Sequence, residues 1–491
     1  MRWTIHQMAE TLGIAPPSGL DPLAGVAGVS IDSRTIQSGE LFVAIRGPRH
    51  DGHDHVAVVL EKGAVAGLVA RERFSSYAPE IRGRLLAVDD TLAALQRLAS
   101  RACEIWRNAR PGRLIGAVAG SVGKTTTKEI LAALVGARFR TLKTQGNLNN
   151  EYGLPLTLLR LDESYEAAVV ELGMSHRGEL AALTRIASPD AGVITRVAVE
   201  HLEFFSSIDE IALAERELIE NLPWPHATAV LNADDERVSQ FGEVARGPVV
   251  FFGTNPAAHF RAEAIEEHGI EGSEFDFVSP SGRARLRLPL IGRHNVMNAL
   301  AALAAASVWG IGANEAQEVF DKLQPADKRG EVVRFDAGFT VINDCYNSSP
   351  SAMDELTRLL ATTPDYRRRI LATGEMRELG TSSGELHREC GRHAAALGKI
   401  DWMFGVVGNA QEFLNSAVEA GHSKERARFF ENSEEAANFI PGFLQPGDIL
   451  LLKGSRGVKM EKILEAIDAK HARGAVKPAQ QPVATSPKGR G

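Results

Sequence analysis

Short apolar runs separated by polar stretches of helix length recur along almost the whole chain. That alternation predicts strands joined by helices, the pattern of parallel sheets. In a first unit the runs fall at 41–45, 67–70 and 85–88; in a second at 114–119, 167–172, 191–195, 228–232 and 249–252. A third unit repeats the scheme at 339–343, 369–373, 402–407 and 449–453. A helix is expected at 91–106. An alanine-rich helix at 298–308 closes the second unit, and Gln324-Pro325 reads as a linker. The expected fold is α/β in three domains: an N-terminal unit at 1–88, a central doubly wound, mostly parallel sheet at 89–323, and a smaller Rossmann-like unit at 324–470. No Gly-x-Gly-x-x-Gly opens the third unit, so a dinucleotide cofactor is not expected. Residues 471–491 hold Pro, Gly, Ser, Gln and basic residues without a hydrophobic period, and read as a disordered tail.

Composition narrows the class. With 44% apolar and 24% charged residues over 491 positions, the chain has ample material for several packed cores. A net charge of -7 argues against nucleic acid as the main partner. Cys103, Cys345 and Cys390 lie far apart without metal-ligand spacing, as in a reduced cytoplasmic protein. The first residues contain no apolar signal core, and no run approaches the roughly 18 residues of a membrane span.

The most informative segment is Gly120-Ser121-Val122-Gly123-Lys124-Thr125-Thr126-Thr127, entered from the apolar run 114–119 and followed by a helical pattern. Strand, glycine turn and helix start together cradle phosphates. Backbone N–H groups and the positive helix end face the anion, Lys124 supplies a point charge, and the Thr125 hydroxyl suits Mg²⁺. Val118 stands where the strict P-loop pattern has its first glycine, so the loop alone does not fix a family. In an open parallel sheet, ligands collect at the carboxyl ends of the strands. Glu171 ends the run 167–170, and His201 follows 191–195 by a short loop, so both are expected to point at the phosphates and to suit Mg²⁺.

Seven segments then appear in a telling order: Gly-Ser-Val-Gly-Lys-Thr-Thr at 120–126, Thr-Gln-Gly-Asn-Leu-Asn-Asn at 144–150, Glu-Leu-Gly-Met-Ser-His-Arg-Gly-Glu at 171–179, His-Leu-Glu at 201–203, Leu-Asn-Ala-Asp-Asp at 231–235, His-Asn-Val-Met-Asn-Ala-Leu at 294–300 and Asp-Cys-Tyr-Asn-Ser-Ser-Pro at 344–350. Together they resemble the Mur ligases of peptidoglycan synthesis, over the chain up to about residue 470. The resemblance implies an ATP-dependent amide ligase working through an acyl phosphate with two Mg²⁺ ions. Ser33, Arg34, Arg46, Asp51, Gly52 and His53 would hold the uridine nucleotide, with Thr144, Asn147, Asn149 and Asn150 completing the UDP-sugar site. Gly120 to Thr126, Asn295, Asn298, Arg329 and Asp344 would bind ATP. Thr125, Glu171 and His201 would ligate metal, and Lys124, Glu171, His201 and Glu215 would be catalytic.

Where the ligase that adds the third residue has Asp-Asn-Pro-Arg, this chain has Gly374-Glu375-Met376-Arg377. That difference implies the dipeptide-adding type, with UDP-N-acetylmuramoyl-tripeptide and D-alanyl-D-alanine as substrates and Asp344 and Asn347 near the dipeptide. A cytoplasmic monomer is expected. The third-residue-adding type, a folylpolyglutamate synthase-like ligase and a non-enzymatic P-loop switch remain as alternatives. The turn Lys453-Gly454-Ser455-Arg456-Gly457 suits either a substrate contact or a solvated strand-end loop. One departure stands out. Mur ligases commonly carry a carbamylated lysine where this chain has Glu215, and no lysine occurs between Lys143 and Lys322. Glu215 is therefore expected to supply that anion and to face Mg²⁺ through a water, the alternative being an ordinary surface acid.

Overall fold

The computed structural model describes residues 3–48, 50–200 and 202–474. His201 and the tail beyond 474 lie outside the described residues. The N-terminal sheet is parallel, in order β1 (Val29–Ser30), β2 (Leu41–Val43), β3 (Ala66–Ala70) and β4 (Leu85–Val88). Helix α1 (Thr91–Ala109) follows, capped by Asp90, whose carboxylate accepts the N–H groups of Leu92 and Ala93. It serves two cores. Ala94, Leu95, Leu98 and Ala102 pack into the N-terminal unit, whereas Ala99, Cys103 and Trp106 pack into the central one.

The central sheet is built from β5 (Leu114–Ala119), β6 (Thr141–Lys143), β7 (Ala167–Glu171), β8 (Ala191–Ile194), β9 (Thr228–Asn232), β10 (Val249–Gly253), β11 (Phe260–Glu267), β12 (Ser273–Ser279) and β13 (Gly282–Leu288). Their order is β13-β12-β11-β10-β9-β8-β5-β7-β6. Pairing is parallel from β6 to β11, and the last two strands add an antiparallel hairpin that the apolar pattern did not predict. In β12 inward Phe275 and Phe277 alternate with half-exposed Glu274 and Asp276, a solvated-face pattern unlike the continuous burial of β7. Helices α2 (Lys124–Gly136) and α4 (Arg293–Ala306) cover one face, and α1 and α3 (Ile208–Glu220) the other. From Ala299 onward helix α4 is apolar all round and buried all round, and its alanines let it lie close against α2. From β5 the chain goes to the edge strand β6, returns to β7 beside β5 and then crosses to β8 on its other side, which makes the carboxyl end of β5 the switch point of the sheet.

The C-terminal sheet runs β14 (Glu331–Arg334), β15 (Thr340–Asp344), β19 (Asp448–Lys453), β16 (Arg368–Gly374), β17 (Trp402–Val406), β18 (Ala427–Phe430), with only β14 antiparallel. Helices α5 (Pro350–Thr362) and α6 (Ser383–Ala396) pack on it. Residues 472–474, expected to belong to a disordered tail, are instead paired with the C-terminal unit: Ala472 O accepts Asp336 N–H, Gly474 N–H donates to Arg334 O, and Arg473 pairs with Asp468. No helix of the described residues is long and apolar enough to cross a membrane.

Candidate active site

Between β5 and α2 the chain turns through Gly120 and Gly123, with φ of 120° and 89°. Only glycine holds such angles without strain, and space makes the same demand. A Cβ on Gly120 would lie 2.2 Å from Thr195 Oγ1, and one on Gly123 2.3 Å from Asn298 Oδ1. The loop is anchored from behind. Gly120 N–H donates to Glu215 Oε2 at 2.8 Å, Ser121 N–H to Arg196 O at 2.7 Å, and the Thr195 hydroxyl to Val122 O at 2.7 Å.

Lys124 Nζ folds onto this loop, 2.5 Å from Gly120 O and 2.8 Å from Ser121 O, and reaches Glu200 Oε1 at 3.3 Å. Burial opposes its charge, but the carboxylates of Glu200, Glu215 and Glu171 outweigh that and hold the ammonium above its usual pKa. Thr125 and Thr126 line the same cleft.

Glu171 stands at the end of β7, as its strand position requires. Its N–H donates to Thr144 Oγ1 at 3.0 Å, and its Oε1 accepts Asn149 Nδ2 at 2.8 Å. Its Oε2 is buried with no hydrogen-bond partner among the described residues. An unsatisfied anionic oxygen in a cleft is costly alone and fits a cation. Among the described residues no group of three His, Cys, Asp or Glu side chains forms a metal cluster.

Glu215 is 2% exposed, so it is not a surface acid. The structure shows one of its oxygens engaged by the P-loop backbone, because the Glu stem reaches Gly120 N–H directly from α3.

Several other expected contacts are turned inward. Asn295 Nδ2 donates to Ile291 O at 2.8 Å, Asn298 Nδ2 to Asn295 Oδ1 at 2.9 Å, and Thr127 Oγ1 to Asn298 Oδ1 at 3.4 Å. These asparagines build the wall behind Gly123 while still bordering the cleft. In the N-terminal unit, Arg34 pairs with Asp32, and Arg46 with Glu72 and Asp51. Gly52 N–H donates to Ile45 O, Ser33 O accepts Lys62 Nζ, and buried His53 sits between Asp51 and the N–H of Ala70. Asn150 caps the turn at Gly153, and Asn147 is exposed. The N-terminal group does not border the P-loop cleft.

That cleft, of about 940 Å³, is shared between two domains. From the C-terminal side come Arg329, Asp344, Tyr346 and Asn347. Fully buried Lys453 donates to Asp344 Oδ2 at 2.5 Å and to Asn347 O at 3.2 Å, so this lysine is not solvated. The Arg329 guanidinium lies 4.4 Å from the Tyr346 ring, with Arg456 at 5.8 Å. Across the domain junction, His294 N–H donates to Glu355 Oε1 at 3.0 Å, and its ring Nδ1 lies 3.2 Å away as an ion pair. Burial opposes the imidazolium, yet Glu355 raises its pKa.

The segment 374–380 is pinned by its own neighbours. Met376 N–H donates to His387 Nε2 at 2.9 Å, Arg377 N–H to Ser455 Oγ at 3.0 Å, and Asn409 N–H to Glu375 Oε1 at 3.0 Å. His387 and Glu355 escaped sequence reasoning, because no local motif marks a side chain whose partner is distant in the chain.

Comparison with known proteins bears on this site. Family models match in three consecutive stretches: Mur ligase family, catalytic domain, at 25–102; Mur ligase middle domain at 118–306; and Mur ligase, glutamate ligase domain, at 328–456. The UDP-N-acetylmuramoyl-tripeptide–D-alanyl-D-alanine ligase of Bacillus subtilis is 34% identical over 444 residues, 90% of this chain and 93% of that protein. A crystal structure of MurF from Acinetobacter baumannii superposes with a TM-score of 0.84 at 28% identity, covering 95% of this chain and 99% of the other. MurF from Thermotoga maritima in complex with ADP gives 0.76 at 27% identity, covering 90% and 97%.

Proposed function

This chain belongs to the Mur ligase family, and on that premise we propose that it joins D-alanyl-D-alanine to UDP-N-acetylmuramoyl-tripeptide at the expense of ATP, in peptidoglycan precursor synthesis in the cytoplasm. The observation that carries the reading is the P-loop cleft between two domains, with Lys124 at its floor and Asp344 and Asn347 on the facing wall. The tripeptide's terminal carboxylate oxygen bonds to the γ-phosphorus, and the bond to the β–γ bridging oxygen breaks with its electron pair leaving on ADP. The dipeptide amine then attacks the acyl carbon, phosphate departs, and the nitrogen loses a proton.

Each protein group has a part in this sequence. The P-loop N–H groups and Lys124 hold phosphate oxygens and offset their charge. Thr125 and the unsatisfied Oε2 of Glu171 would hold Mg²⁺, with His201 added by resemblance, and a bound cation neutralises charge on the transferring phosphoryl group. Asp344, fixed by Lys453, orients nucleotide or dipeptide from the opposite domain, so closure of the two domains assembles the site. Ser33, Arg34, Arg46 and the 51–53 turn carry the uridine nucleotide in a separate unit, their present ion pairs marking where charged partners would exchange.

The test is phosphate release from ATP with UDP-N-acetylmuramoyl-tripeptide present. D-alanyl-D-alanine is expected to support it and single amino acids are not. Release driven by meso-diaminopimelate on a UDP-linked dipeptide, with D-alanyl-D-alanine inert, would reassign the chain within the family.

A further inference from the structure

Arg196 follows β8 at the carboxyl edge of the central sheet. Its main chain is fastened to the P-loop: its carbonyl accepts Ser121 N–H at 2.7 Å, and its N lies 3.1 Å from where a Cβ on Gly120 would stand. Its side chain is exposed within the cleft and makes no hydrogen bond or ion pair among the described residues. Of the other cleft arginines, Arg293 at the start of α4 is likewise unpaired among the described residues but has no main-chain bond to the P-loop, and two differ. Arg237 pairs with Asp209 at 2.7 Å, and Arg329 rests on the Tyr346 ring.

Glu355 lines the same cleft from the opposite domain. Burial opposes that carboxyl's ionisation, His294 favours it, and the charge of Arg196 adds to the lowering of its pKa. Arg196 and Glu355 thus face one cleft, the first from the P-loop side and the second from the C-terminal wall. Glu171, Glu200 and Glu215 all act on the ammonium of Lys124, so that cation is already engaged by the protein's own carboxylates. Phosphoryl transfer into such a site needs further cations. A guanidinium suits the task because its fork matches two phosphate oxygens and its charge persists at all working pH.

We propose that Arg196 is a phosphoryl-binding residue of this ligase, its guanidinium contacting the γ-phosphoryl oxygens as that group passes from ATP to the substrate carboxylate. The contact persists on the resulting acyl phosphate until the amine displaces phosphate. This role rests on the ligase reading above.

The experiment compares wild type, R196Q, R196K, E355Q and the R196Q/E355Q double variant in phosphate release. Alongside, calorimetry measures the binding of ADP and of a non-hydrolysable ATP analogue. R196Q is expected to lower kcat by about 100-fold or more with little change in KM for the dipeptide, as for loss of a preorganised donor. It should also weaken the ATP analogue more than ADP, while R196K recovers part of the rate and the melting temperature stays that of wild type. E355Q should add its own loss independently in the double variant. Unchanged turnover in R196Q, equal weakening of ADP and the ATP analogue, or a loss wholly shared with E355Q would overturn the proposal, the last marking a bridge between domains. If wild type itself releases no phosphate with the two substrates, the ligase reading fails, and the two nucleotide affinities still judge Arg196.

Discussion

Glu215→Gln isolates one charge behind the P-loop. The amide keeps the shape of the side chain and an acceptor oxygen for Gly120 N–H, which now meets the carboxylate at 2.8 Å in a site 2% exposed. A hydrogen bond to a charged group contributes about 1.5–3 kcal/mol and a neutral one about 1, so the change should weaken the anchor by about 1–2 kcal/mol. Lys124 should stay protonated, because Glu200 is the strongest of the three carboxylates acting on it. Any loss then reports loop geometry rather than the state of the lysine. We expect kcat/KM for ATP to fall about 5- to 30-fold, with a melting temperature lower by roughly 2–8 °C, if the central domain unfolds as one unit. A carboxylate that is always present needs no carbon dioxide, so wild-type activity should be indifferent to added bicarbonate. Phosphate-release kinetics with and without bicarbonate, and calorimetry on the two proteins, check both statements. Wild-type turnover in Glu215→Gln, or strong stimulation of the wild type by bicarbonate, refutes the reasoning.

Three further outcomes are expected. Glu171→Gln should reduce turnover by about 100-fold or more while ADP affinity, measured by calorimetry, changes little, since its buried oxygen without a hydrogen-bond partner belongs to a residue lining the P-loop cleft. Lys453→Met leaves Asp344 without its buried partner and should destabilise the C-terminal domain by about 3–5 kcal/mol, read from denaturant midpoints; adding Asp344→Asn should recover part of that loss. His387 has its pKa lowered by burial and is expected to be neutral, accepting from Met376 N–H and donating to Ser383 O. Its contribution is complete above the unfolded imidazole value of about 6.5 and is lost as pH falls through the lower folded value. His387→Asn should therefore flatten the acid side of the stability profile, and an unchanged profile would remove His387 from that role.

The elements nearest the chemistry were legible in the sequence because their causes are local. The run 114–119, two glycines and a lysine at a helix start specify strand, turn and phosphate cradle within about a dozen residues, and the structure places them so. Strands such as 228–232 were equally plain, since continuous burial in a parallel sheet writes itself as a continuous apolar run. The hairpin β12–β13 was missed because its charged, half-exposed alternate positions dilute the apolar signal. What only tertiary packing decided was partnership. Asn298 was legible as a cleft residue, but only the close approach of α4 to α2 sets its amide against Gly123 and Asn295. Lys453 could have been solvated, but β19 pairs with β15 and delivers its ammonium to Asp344. Glu215 could have lain on a helix surface, but α3 packs beneath β5 and turns the carboxylate to Gly120. Periodicity along the chain reports which face of an element is buried; which polar group it meets there depends on an element distant in sequence, and that is settled only when the layers pack.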